Sequence, residues 1–170
     1  MTTSGHAASS SGFAPVAGAN ARILILGSLP GQRSIDAGQY YAHPQNAFWP
    51  IMSEIFGATG SYEERCQVLV ENRVALWDVL ASSVRPGSMD AAIRMESAQA
   101  NDFEEFFRIH RDVDRVCFNG QKAAQLWSRM VQPGLDPASV RYATLPSTSP
   151  AYAAMSVANK LSKWRSIIGQ

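Results

Sequence analysis

Two thiols, Cys66 and Cys117, are all that the 170-residue chain has. They cannot supply the four thiolates typical of an iron–sulfur cluster. Far apart and without a partnering motif, they are expected to be reduced, mostly buried cysteines of a cytoplasmic protein. Charge is also scarce: 17% of residues are charged and the net charge is +1. No global basic field therefore announces nucleic acid, although Lys122, Arg129, Arg141, Lys160, Lys163 and Arg165 gather in the last third, and local clustering is enough for a DNA surface. No apolar run approaches the ~20 residues of a membrane span, so no membrane partner is expected. Residues 1–20 carry neither the basic region nor the apolar core of a secretory leader; small and polar, they are expected to form a disordered arm. Also missing are a Gly-x-Gly-x-x-Gly after the first strand and any Gly-Lys-[Ser/Thr], which argues against dinucleotide-binding and P-loop proteins.

What remains is ordinary globular material, 46% hydrophobic, expected to make one domain over residues 21–170. Apolar runs at 22–26, 74–77, 113–118 and 140–145 read as strands. Between them, helices are expected over Ala47–Phe56, from Tyr62 to Asn72 behind a Ser61–Glu64 capping box, after Asn101 with Glu104 three residues on, and over Gln121–Met130. The helix after Asn101 presents Phe103, Phe106 and Phe107 on one face. A last helix is expected over Ala153–Ile168, with Met155, Leu161, Trp164 and Ile168 inward. Short apolar strands alternating with helices predict an α/β domain, a parallel sheet covered on both faces. In such sheets the ligand loops gather at the carboxyl ends of the strands. Gly27–Gly31, Asp78–Gly87, Asn119–Gly120 and Pro146–Pro150 are therefore expected to meet at one cleft.

The most informative stretch is Ile23 to Trp49. An apolar strand feeds the turn Gly27-Ser28-Leu29-Pro30-Gly31, then a polar loop, Tyr40-Tyr41, His43-Pro44, Asn46 and Phe48-Trp49. Aromatic rings and an amide just beyond a strand end suit a flat ligand with polar edges, such as a nucleobase.

These blocks resemble the uracil-DNA glycosylase superfamily. Its mismatch-directed members carry Gly-Ile-Asn-Pro-Gly at the turn and Phe-Ala-His-Pro-x-Asn-Arg-Phe-Trp a short loop later, against Gly27–Gly31 and Tyr41-Ala42-His43-Pro44-Gln45-Asn46-Ala47-Phe48-Trp49 here. The Gly-Ser-x-Pro turn, the paired tyrosines and Leu145-Pro146-Ser147-Thr148-Ser149-Pro150 are closer to the hypoxanthine-DNA glycosylase branch. The resemblance implies an α/β/α sandwich with four central parallel strands. It also implies a monofunctional glycosylase that hydrolyses the N-glycosidic bond of a deaminated base, hypoxanthine first, with uracil or mismatched thymine as alternatives. The expected partner is DNA, the expected state a monomer. Nothing requires a metal or organic cofactor. No lysine falls within residues 27–49 or 145–152, which disfavours Schiff-base lyase chemistry.

The resemblance assigns roles that the residues support physically, each beside a plainer reading. Backbone N–H groups around Gly27, Ser28 and Leu29 suit an oxyanion-hole role, or a strand-exit turn. Leu29 replaces the asparagine that holds the water in mismatch-directed members, and can neither donate nor accept. Asn46 is the candidate in its place, unless it caps the Ala47–Phe56 helix. Tyr41 stacks on the flipped base, Tyr40 closes the wall, and Phe48 belongs to the same base-binding group. His43 contacts phosphate or assists the water, or more plainly bonds to backbone. Asn119, in a Phe-Asn-Gly sequence shared with thymine-DNA glycosylases, reads the base edge: its donor beside an acceptor complements hypoxanthine or uracil and rejects adenine. Ser147, Thr148 and Ser149 grip phosphates, and Tyr152 or Ala151 stands where an arginine wedge sits in thymine glycosylases. Asp78, with Arg85-Pro86-Gly87-Ser88 behind it, anchors the cleft or assists catalysis. A rival of another class, a damage-binding module without catalysis, rests on Leu29 and the low net charge.

Overall fold

The computed structural model describes residues 9–87, 89–135, 137 and 139–168. Strands β1 (Ser9–Ser11) and β2 (Ile23–Gly27) open the chain. Helices α1 (Gln32–Ala37), α2 (Phe48–Phe56) and α3 (Tyr62–Glu71) follow, then strands β3 (Val74–Asp78), β4 (Leu80–Val84) and β5 (Gln99–Ala100). Helix α4 (Phe103–Ile109), strand β6 (Arg115–Asn119), helix α5 (Gln121–Leu126), strand β7 (Arg141–Leu145) and helix α6 (Val157–Trp164) complete it.

Strands β3, β2, β6 and β7 form one four-stranded parallel sheet in that order. Alternation along each strand sorts its side chains to two faces. Leu24, Leu26, Ala75, Trp77, Val116 and Phe118 pack with Phe103 and Phe106 of α4 and Leu126 of α5. Ile25, Val74, Leu76 and Cys117 pack with Phe48, Ile51 and Met52 of α2, Leu69 of α3 and Trp164 of α6. Two cores with one sheet between them make the expected α/β/α sandwich. The connection after β2 runs to β3 on one side of the sheet, and that after β6 runs to β7 on the other. Such a reversal opens a crevice beyond the carboxyl ends of the strands. No helix among the described residues is long and apolar enough to cross a membrane.

The expected disordered arm is corrected for residues 9–20; residues 1–8 lie outside the described residues. Strand β1 pairs antiparallel with β4, and Val16 bridges to Leu76 on the edge of the main sheet. The Trp77 indole N–H donates to Phe13 O at 2.9 Å and the Tyr40 hydroxyl to Ala14 O at 2.9 Å. A serine-rich segment without hydrophobic alternation is ordered here by a sheet edge whose backbone groups needed partners. The small sheet β1–β4–β5 was not foreseen. Nor was α1, which ends at Gly38 in the left-handed region, φ +64°.

The serine half of the capping box is present, with Ser61 Oγ accepting from Glu64 N–H. The helix α4 cap is Asp102, accepting from Glu105 N–H, rather than Asn101. The last helix starts four residues later than expected and tightens to a 3₁₀ turn over Arg165–Ile168. That tightening rotates the phase, so Ile167 is buried and Ile168, expected inward, is exposed.

Candidate active site

A cavity of about 600 Å³ opens at the carboxyl ends of the four parallel strands, within the range of small-ligand sites. Gly27 and Asp78 are cross-strand partners at one end of its floor, and Asn119, at the end of β6, lies at the other. Tyr41 and Asn46, from the loop before α2, and Asn119, from the end of β6, all line it. The convergence expected of the strand-exit loops therefore occurs.

The Gly27–Gly31 turn presents donors because its acceptors are occupied elsewhere. Gly27 O accepts from Val79 N–H at 2.8 Å and Ser28 O from Leu80 N–H at 3.0 Å. Leu29 O accepts from the Arg85 guanidinium at 3.3 Å, and Pro30 O from the same group. In a trans peptide, the carbonyl and the following N–H point in opposite directions. The N–H groups of Ser28, Leu29 and Gly31 are thus turned away from these partners, and none has an acceptor among the described residues. All three residues line the cavity. A side chain at Gly27 has no room: its Cβ would lie 2.5 Å from Asp78 Oδ1 and 3.1 Å from the Tyr41 hydroxyl. The Ser28 side chain does not face a base, since its Oγ donates to Asp90 Oδ1 at 2.6 Å. Leu29 contributes an apolar, buried patch of wall.

Tyr41 lies in the left-handed region, φ +56°, a conformation costing about 1–2 kcal/mol for a non-glycine residue. Its ring stacks on Phe48 at 4.0 Å between centroids. Phe48 itself is 0% exposed and absent from the cavity lining, which corrects its place among the base-contacting residues. It backs the tyrosine instead. The Tyr41 hydroxyl is buried without a hydrogen bond; burial first, then Asp78 and more weakly Asp90, against an opposing pull from the nearby Asn119 amide, push its ionisation well above the ordinary range. Tyr40 closes the wall, its carbonyl holding the Trp49 indole N–H at 2.9 Å.

Asn46 takes a capping bond and still faces the cavity. Its Oδ1 accepts from Phe48 N–H at 2.9 Å, in the manner of a helix-start cap one residue before the Ala47 N-cap. That bond fixes the amide orientation and leaves one Oδ1 lone pair uncommitted, and the residue still lines the cavity. His43 also lines it, while its Nδ1 accepts from Gln45 N–H at 3.1 Å, the plainer reading.

Asn119 is more constrained than its expected role. Its Nδ2 donates to Thr148 Oγ1 at 2.9 Å and its Oδ1 accepts from Thr148 N–H at 2.9 Å. One proton and one lone pair of the amide remain for a ligand. Thr148 is buried, and its carbonyl accepts from Ala47 N–H at 3.0 Å. It therefore joins three loops and is corrected from a phosphate-binding to a bracing position. Gly120, φ +97°, allows this approach, because its Cβ would lie 3.0 Å from Ser147 Cβ. Ser147 and Ser149 use their hydroxyls to accept from Ser149 and Ala151 N–H, and both stay on the cavity rim. Tyr152, 39% exposed, completes that rim. Beneath it Lys160 is buried, donating from Nζ to Ser149 O at 3.2 Å and lying 5.2 Å from the Tyr152 ring centroid.

Asp78 is the outlier. It is 4% exposed, lines the cavity, and its Oδ2 has no hydrogen-bond partner. Asn101 Nδ2 donates to its backbone carbonyl at 2.8 Å, fixing the residue without touching the carboxyl. Burial, reinforced by the Asp90 carboxylate and opposed by Arg85, pushes its pKa up to about 7. Arg85 is buried and lies 3.5 Å from Asp90; burial lowers its own pKa. Asp90 and the exposed Met89 of the rim were not foreseen, and no spacing in the 85–92 segment signalled them. Ser88 lies outside the described residues.

Comparison with known proteins gives consistent findings. The uracil DNA glycosylase superfamily profile matches residues 14–168. A hypoxanthine DNA glycosylase of Methanosarcina acetivorans is 36% identical over 159 residues, covering 92% of this chain and 96% of that protein. One from Methanosarcina barkeri is 39% identical over 117 residues, 67% of this chain and 73% of the relative. A solution structure from Methanosarcina acetivorans, provisionally assigned as a uracil DNA glycosylase, superposes with a TM-score of 0.76 at 32% identity. That alignment covers 94% of this chain and 99% of that one.

Proposed function

The chain belongs to the uracil DNA glycosylase superfamily, and from that membership we propose that it is a monofunctional DNA glycosylase that removes hypoxanthine from DNA, acting as a monomer in the cytoplasm. The relatives' names support the reaction class and the base. The observation that carries the reading is the convergence of free N–H donors at Ser28 and Leu29, the Tyr41 ring, the Asn46 amide and the Asn119 amide on one cavity.

The chemistry follows from that arrangement. A flipped nucleotide trades its stacking in the duplex for stacking on Tyr41. Asn119, held in one orientation by Thr148, offers its remaining donor and acceptor to the carbonyl and ring N–H of hypoxanthine. The N–H groups of the Gly27–Gly31 turn are donors for a polar edge of the base, drawing electron density into it as the bond stretches. The sugar gains oxocarbenium character as the bond stretches. A water accepted by the uncommitted lone pair of Asn46 Oδ1 then adds to C1′. Ser147 and Ser149 hold the flanking backbone, and Tyr152 enters the space left by the base. No lysine lines the cavity, consistent with hydrolysis rather than an imine-forming lyase.

Labelled duplexes carrying deoxyinosine, uracil or a G·T mismatch, incubated with the protein and then treated with alkali, test this. Strand breaks at deoxyinosine are expected, reduced about 10²–10³-fold by Asn46→Ala as for loss of one preorganised polar group. Asn46→Asp keeps both the cap and the acceptor, and is expected to retain more activity than the alanine variant. Tight binding without breaks at any lesion would replace the enzyme with a damage-binding module.

A further inference from the structure

Accepting that reading, one group in the cavity is left over. Asp78 ends strand β3 beside Gly27 and lines the cavity, with Oδ2 buried and unpartnered. The nearby cation does not neutralise it by contact. Arg85 directs its two terminal nitrogens to Leu29 O, Pro30 O and Asp90, while its buried Nε has no hydrogen-bond partner. With no hydrogen bond at Oδ2 and no cation in contact, the buried carboxyl favours its neutral, protonated form, and in that form it carries an O–H donor. That donor lies on the cavity lining, beside the Tyr41 hydroxyl that is likewise without a partner.

Base chemistry says what an O–H there is for. Uracil departs as an anion delocalised over two carbonyls, a form that the N–H donors of the Gly27–Gly31 turn suit. A purine attached through N9 is different, because protonation at N7 draws the glycosidic electron pair into the imidazole ring and turns a poor leaving group into a neutral one. We propose that Asp78 is the general acid of this glycosylase, delivering its proton to N7 of the departing hypoxanthine. As the C1′–N9 bond breaks, its electron pair passes into the ring. The Asp78 O–H bond breaks as N7–H forms, so hypoxanthine leaves neutral and Asp78 remains a carboxylate. Water then adds to the sugar cation, and its surplus proton restores the acid.

The groups facing Asp78 fit this role. Asp90 and Arg85 lie on the 85–92 segment, Tyr40 and Tyr41 on the loop before α2, and His43 on the same cavity wall. Asp90 disfavours a second negative charge, while Arg85 permits the carboxylate formed after transfer. Proton donation from Asp78 is therefore available up to about pH 7 and lost above it.

The test is single-turnover excision of deoxyinosine from pH 5.5 to 9, with thermal melts to verify folding. The wild-type rate is expected to fall about tenfold per unit above roughly pH 7, as for an essential acid. Asp78→Asn should be about 10²–10⁴-fold slower at pH 6 and should lose the alkaline fall. Asp78→Glu should recover part of the rate with a displaced fall. A wild-type rate constant across the range overturns the proposal even if Asp78→Asn fails to fold. So does an asparagine variant within about fivefold of wild type at pH 6, or one that keeps the alkaline fall. Wild-type protein that leaves deoxyinosine intact at every pH overturns instead the functional reading on which this inference rests.

Discussion

The cleft has two sides that solve the same problem in opposite ways. On the β6–β7 side, Asn119 and Thr148 exchange two hydrogen bonds, and Thr148 O reaches on to Ala47 N–H. On the β2–β3 side, the Tyr41 hydroxyl and Asp78 Oδ2 lie buried with no partner. An unsatisfied buried polar group costs about 1–3 kcal/mol, so the second side carries strain that the first avoids. The braced side holds shape; the unsatisfied side waits for a ligand to complete it. Stability and activity should therefore respond differently to substitutions on the two sides.

The largest contrast is expected at Asp78. Its pKa is raised to about 7 in the folded protein, against about 3.9 in the unfolded chain. Below the unfolded value both states are protonated and no penalty arises. As pH rises from about 4 through 7 the unfolded chain ionises first, and the native state loses on the order of 3–4 kcal/mol. Asp78→Asn escapes that loss. Denaturant titrations should show the variant gaining on wild type from about pH 4 to pH 7 and levelling above it, whereas equal stabilities at pH 8 would deny the strain on this side. The same substitution that slows excision is thus expected to strengthen the fold, a familiar trade at strained sites.

Thr148→Val should give the reverse pattern with a smaller effect. It removes the hydroxyl that accepts from Asn119 Nδ2, and is expected to destabilise by about 1–3 kcal/mol with no dependence on pH between 5 and 8. Discrimination against adenine should also relax, because the Asn119 amide is no longer fixed. Unchanged melting and unchanged selectivity together would show that the brace is dispensable. Smallest in stability is Tyr152→Ala on the exposed rim, expected within about 0.5 kcal/mol of wild type. DNA affinity should nevertheless fall, by about 1–3 kcal/mol if the ring stacks in the vacated space.

The two sides also differ in how far the sequence revealed them. The parallel strands, their order of loops and the meeting of Gly27–Gly31, Tyr41, Asn46 and Asn119 were legible, because apolar runs and turn residues mark strand ends locally. The partner of Asn119 was not. Thr148 lies 29 residues away, and a threonine between two serines reads equally as a phosphate grip. Phe48 was placed in the cavity because an aromatic pair gives no sign of which ring faces inward; helix α2 turns it into the core. Strand β4 escaped notice because Leu-Ala-Ser-Ser-Val lacks a hydrophobic signature. Its Ser83 is nonetheless buried, with Oγ against Arg94 O and Ser97 Oγ. Asp78 was visible as a residue and not as an unpaired acid, since pairing is decided by Arg85 turning to the Gly27–Gly31 carbonyls.

The segment from Ser9 to Val16 has a practical consequence. A domain trimmed at residue 21, where composition alone would cut, removes the carbonyls of Phe13 and Ala14 that hold the Trp77 indole and the Tyr40 hydroxyl. Two donors would lose their acceptors, one of them on a tyrosine that walls the cavity. The amino-terminal stretch is in effect a tie-rod of the pocket, and a truncated protein would forfeit grip on the base through residues that never touch it.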